Sequence, residues 1–215
     1  MRSSIGAALR GAALAAGGLL AAACINVDVG PKDKAVSTDR FHVLDSVETP
    51  PAPKGSSGRS LAVQSLRGRD RFGKHVLRRE SDGTVVALDR EHWADEPTSS
   101  VTDALREALA ASGAFAWVAD PTDAVDAELA LSGQVLDFSL DAATDGGPAA
   151  RVRLRLTLAD RKSGTVLHSG SFDATEPLPG GTLPSLGPSM AKAVSKCLRD
   201  AVQAWTAAGA LAPKR

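Results

Sequence analysis

Residues 151–158 read RVRLRLTL. Val152, Leu154, Leu156 and Leu158 alternate with Arg151, Arg153, Arg155 and Thr157 without a break. Successive side chains of a β-strand point to opposite faces, so this stretch predicts a strand with one buried and one wetted face. Burial on one face only is the habit of antiparallel sheets. Such a strand needs neighbours, and the sequence supplies one on each side. Upstream, 128–140 carries Leu129 and Leu131 in one phase, then Leu136, Phe138 and Leu140 in the other. A bulge near Gly133 would account for that shift. Downstream, 166–173 sets Val166, His168, Gly170 and Phe172 on one side. Turn-rich stretches at 141–150, with Asp145-Gly-Gly-Pro148, and at 160–164 separate the three strands.

Helical spacing brackets this meander. In 97–113, Val101, Ala104, Leu105, Ala108 and Leu109 form one apolar stripe. Ser100 with Asp103 approximates a capping box, and Gly113 suits the C′ position. In 186–208, Val194, Leu198, Val202 and Trp205 recur at helical intervals, with Met190 and Cys197 adjoining. Shorter strands are expected at 40–45, 60–66, 74–79, 84–89 and 115–118, the 74–79 and 84–89 pair joined by the turn Glu80-Ser-Asp-Gly83. Pro121-Thr-Asp123 turns the chain, and the Pro-, Gly- and Ser-rich segment 46–60 reads as a loop. The expected architecture is a single α/β domain over 39–209. Its mixed, mostly antiparallel sheet packs against two main helices, and a frayed tail follows at 210–215.

The N-terminus reads as a targeting segment. Arg2 and Arg10 precede an uncharged run of Gly, Ala and Leu from 11 to 23. That run is shorter than the ~20 residues a membrane span needs, so it fits a secretory signal. Ala21, Ala22 and Ala23 stand directly before Cys24. This stretch resembles a bacterial lipobox, in which the cysteine is acylated and becomes the mature N-terminus. That reading makes 1–23 a signal peptide and 24–38 the lipidated N-terminus with its tether. An ordinary signal peptide is the alternative, and Cys24 and Cys197 are then the one available disulfide pair.

Composition excludes several function classes. Twenty-five basic and 25 acidic side chains cancel, so no nucleic-acid partner is expected, because phosphate neutralisation drives that affinity. An apolar fraction of 43% argues against wholesale disorder. Two cysteines and four scattered histidines suggest no metal, and no cofactor fingerprint or nucleophile elbow occurs. Asp141 and Asp145 lack the alternating acidic spacing of a calcium loop. No enzymatic activity is expected. Two features stay open to a functional reading. Arg151, Arg153 and Arg155 form either a cationic face for lipid phosphates or an acidic partner, or cross-strand pairs with Asp137 and Asp141. Trp93, in a polar setting before a helix, either seals the core or anchors a partner.

The stretch 88–118 resembles the ABC-type transport auxiliary lipoprotein family. Its Trp93-Ala-Asp-Glu-Pro97 element, then Leu105, Leu109, Ser112-Gly113, Phe115 and Val118, follow that family's pattern. Phe41-His-Val-Leu44 and Leu61-Ala-Val63 resemble its first strands, and 155–172 its late hairpin. His92 stands where Arg is usual, and Phe41 where Tyr is common. The resemblance implies a lipoprotein of the outer membrane, facing the periplasm and held there by acyl chains such as palmitate. It also implies MCE-domain proteins and ABC transporter subunits as partners in lipid transport, and admits a homo-oligomer. A lipoprotein that itself holds lipid in a groove beside the sheet is the alternative.

Overall fold

The computed structural model describes residues 38–53, 58–68, 73–120, 122, 126–142 and 146–212. The signal segment 1–23, Cys24, the tether through residue 37, Pro121, Asp123, Asp145 and residues 213–215 lie outside the described residues. In chain order the elements are β1 (Arg40–His42), β2 (Leu61–Val63), β3 (His75–Arg79), β4 (Val85–Trp93), α1 (Pro97–Ala111), β5 (Val118–Ala119), β6 (Leu129–Asp141), β7 (Ala149–Asp160), β8 (Val166–Pro177) and α2 (Leu186–Ala207). Two 3-10 turns, Pro179–Gly181 and Leu183–Ser185, lead into α2.

β6 is the spine of the sheet. One of its edges pairs antiparallel with β7 from end to end, and β7 pairs antiparallel with β8. Its other edge is shared. β2 lies parallel to the first part of β6, an isolated bridge joins Arg67 to Gln134, and β3 lies parallel to its end. β5 continues outward from β2, while β4 and then β1 continue from β3. Four of the seven pairings are therefore parallel, which corrects the expected mostly antiparallel sheet. The correction has a simple cause. β1, β2 and β5 are each two or three residues long and carry no readable periodicity. Their partners follow from crossover connections, which are what parallel neighbours require.

The core is a single cluster beneath the helices. Leu154, Leu156 and Leu158 of β7 meet Leu129, Leu131, Val135 and Phe138 of β6. α1 adds Val101, Leu105 and Leu109, and α2 adds Met190, Val194, Leu198, Val202 and Trp205. α1 begins at Pro97, three residues before the expected Ser100 cap. Proline suits the first helical position because its missing N–H has no intrahelical partner there. Glu96 is the extended residue before it, and Asp103 bonds Arg106 at 2.8 Å rather than a capped amide. Gly113 follows the helix with φ of +66°, the left-handed conformation glycine tolerates. At the other end, Ala210 and Leu211 are buried and the Ala210 amide donates to the Trp205 carbonyl, so the chain does not fray there.

The bulge in β6 lies three residues beyond its expected place. The register against β7 shifts between Val135 and Asp137, making Leu136 the extra residue. Gly133 has a different role. A Cβ there would fall 2.3 Å from the Arg155 carbonyl oxygen and 2.9 Å from Leu156 Cδ2, so glycine permits a close approach of β6 to β7.

Candidate functional site

The alternation of β7 that builds the core also builds the opposite face. Pairing sets outward residues in rows across three strands. One row is Ser139–Arg151–Thr175, the next Asp137–Arg153–Asp173, and the next Gln134–Arg155–Ser171. Beyond it runs Ser132–Thr157–Ser169, where the last two hydroxyls lie 2.9 Å apart.

Charge on this face is locked by shared carboxylates. Arg153 Nε donates to Asp173 Oδ2 at 2.7 Å. Arg151 reaches Asp173 at 3.3 Å, Asp141 at 3.5 Å and Asp137 at 3.6 Å. Arg79 of β3 donates to Asp137, and Ser139 Oγ donates to the other oxygen of that carboxylate at 2.8 Å. Arg151 thus meets the two aspartates expected of it. Asp173 of β8 carries no signal in the sequence, because nothing in a single strand shows which residues of its neighbour will face it. Arg155, at the same spacing, makes no ion pair among the described residues.

Trp93 lies inside. It is 3% exposed, and its ring meets Phe138 edge-on at 5.0 Å between centroids. Opposite it in register, His42 lies 5.8 Å away. The fold also gathers residues that the sequence scatters. His42, His75 and His92 converge on the β1–β4–β3 edge: His75 and His92 rings are 4.7 Å apart, and Phe41 stacks on His92 at 5.5 Å. His42 Nε2 sits 2.7 Å from Glu91 Oε2, whose other oxygen accepts from Arg40 at 3.2 Å. Despite this gathering, no group of three or more His, Cys, Asp or Glu among the described residues is arranged to hold a metal ion.

Cys197 is a free thiol with no exposed surface, its Sγ 3.8 Å from the Val152 carbonyl oxygen under β7. Burial pushes the thiol up to about 12, with Asp173 and Asp200 adding to the shift. It is therefore protonated at neutral pH and no nucleophile. Iodoacetamide at pH 8 is expected to leave Cys197 unmodified in the folded chain and to alkylate it in guanidinium, as read by peptide mass spectrometry. Rapid alkylation of the folded chain would contradict this burial.

Comparison with known proteins places this geometry. A sequence family described as the ABC-type transport auxiliary lipoprotein component matches residues 42–204. A crystal structure of a Xanthomonas campestris protein superposes with a TM-score of 0.70 at 20% identity, covering 80% of this chain and 97% of that one. A second, of an uncharacterized protein, gives 0.61 at 16% identity over 79% and 98%. At these identities the likeness is one of fold. No curated protein matches the sequence.

Proposed function

Because the chain belongs to the ABC-type transport auxiliary lipoprotein family, we propose that it is a non-enzymatic accessory subunit, anchored through acyl chains on Cys24 and docking a transport partner. The partner proposed is an MCE-domain protein working with ABC transporter subunits, met at the periplasmic face of the outer membrane. One observation carries the docking part. Among the described residues no helix lies on the sheet face where Arg151 and Arg153 are held in place by Asp137, Asp141 and Asp173. Arginines pre-ordered by shared carboxylates lose little conformational freedom on meeting a partner, and charge complementarity sets specificity at such a surface. Trp93 is proposed to support this face from beneath through Phe138, not to touch the partner.

The test is affinity purification of the full chain from solubilised membranes. MCE-domain and ABC subunits are expected to be captured with it. Arg153→Glu should weaken capture without unfolding the chain, since Arg153 is exposed. Cys24→Ser should move the protein from the membrane to the soluble fraction. Capture of neither partner by the wild type would overturn the docking reading. Unchanged membrane association of Cys24→Ser would overturn the anchor.

A further inference from the structure

We infer that Arg67 and Arg155 form a binding site for a phosphate group on the same face of the sheet as Arg153. This goes beyond the docking of a transport partner and stands independently of it.

The pairing of three strands creates the site. Arg67 bridges to Gln134 of β6, and Gln134 faces Arg155 of β7. The three residues thus form one row, with the two arginines flanking the glutamine. Neighbouring strands lie about 4.8 Å apart, which puts the two arginine Cα atoms about 10 Å apart. Both guanidinium groups can therefore meet over Gln134. They frame a depression of about 330 Å³ whose other polar walls include Ser65, Ser132 and Thr157.

Charge separates this row from its neighbour. One row along, Asp173 pairs with Arg153 while Asp137 pairs with Arg79 and Arg151, and the adjoining depression contains the Asp137 carboxylate. Among the described residues the depression shared by Arg67 and Arg155 is lined by no carboxylate and neither arginine has an ion-pair partner; Asp137 lines the adjoining depression, which Arg155 also borders. Two cations without ion-pair partners, one on each side of β6, repel each other, so an anion between them relieves that repulsion. The donor set selects the anion. A carboxylate is planar and is satisfied by one guanidinium fork. A tetrahedral phosphate accepts on several sides, matching two guanidiniums that close from opposite flanks with an amide and hydroxyls beneath. A free phosphate and the headgroup of a phospholipid share this chemistry.

The full acylated chain in non-ionic detergent, labelled with nitrogen-15, provides the test. The Nε–H signals of its arginines are followed during titration at constant ionic strength. The probes are inorganic phosphate, glycerophosphoglycerol as a lipid headgroup without its tails, and acetate. Phosphate or glycerophosphoglycerol is expected to shift the Arg67 and Arg155 signals saturably while the Arg153 signal stays in place. Arg67→Gln and Arg155→Gln should each weaken binding about tenfold or more, as for loss of a charged hydrogen-bond donor. Tighter binding of glycerophosphoglycerol assigns the site to a headgroup, and equal or weaker binding assigns it to free phosphate. Failure of both phosphates to saturate, binding of acetate as tight as theirs, or undiminished binding in the two variants would overturn the site. Because partner capture plays no part in these titrations, their failure leaves the docking reading untouched.

Discussion

Trp93→Ala is expected to cost about 3–5 kcal/mol of folding stability, the range for truncating a buried tryptophan. The ring is 3% exposed and leans edge-on against Phe138. Its amide donates to the Lys74 carbonyl at 2.6 Å, and the residue pairs in register with His42. One side chain thereby links the outermost strand β1 to the spine β6. Removing it empties the junction. Urea denaturation should show a lower midpoint with an unchanged slope. Partner capture should fall only in proportion to the folded fraction. A loss below about 1 kcal/mol would show that the junction repacks, contrary to the usual cost of such a cavity. A normal midpoint with lost capture would instead assign Trp93 to the docking surface.

Arg59→Ala is expected to cost a similar amount by a different route. Arg59 and Asp160 are both buried, with Nη2 donating to Oδ2 at 2.7 Å. Asp160 also accepts from the amide and hydroxyl of Ser163, which closes the β7–β8 turn. Glu128, just before β6, stands 3.9 Å from the same guanidinium. The arginine thus ties together the start of β2, the approach to β6 and the end of β7. Truncating it strands a buried carboxylate, which costs about 3–5 kcal/mol, far more than the pair itself is worth. Adding Asp160→Asn should recover part of the loss, because the amide carries no charge while its oxygen still accepts from Ser163. Salt should matter little, since buried pairs are poorly screened. A double variant no more stable than Arg59→Ala would show that packing of the arginine stem, not the stranded charge, sets the cost.

The long elements were legible because each repeats its pattern often enough. β7 offers a complete alternation, and α2 carries its stripe from Met190 to Trp205. The alternation at 151–158 lies inside β7, Ala149–Asp160, and the helical spacing over 186–208 matches α2, Leu186–Ala207. β5 was expected at 115–118 and lies at Val118–Ala119, because a two-residue strand has no period to read. The phase shift in β6 was visible, yet glycine drew the bulge to Gly133. Two demands on glycine, bulge geometry and close approach, look alike in sequence. The site was legible only along one strand. Arg151, Arg153 and Arg155 stood out together, but their different fates depend on Asp173 in β8 and Arg67 after β2. The convergence of His42, His75 and His92 depended likewise on which short strands became neighbours.

The bulge at Leu136 has a consequence for how this chain can change length over evolution. Val135 pairs with Leu154 and Asp137 with Arg153, adjacent residues of β7. A relative lacking Leu136 would join those two pairs directly, and each later residue of the strand would keep its face and its neighbour. Loss of a residue elsewhere in the strand's second half has the opposite effect. Loss of Ser139, for example, would turn Leu140 out of the core and Asp141 toward the apolar interior, because a one-residue slip inverts every side chain beyond it. In the middle of its most constrained strand, the domain therefore has one position where a codon can be gained or lost without reversing the sheet.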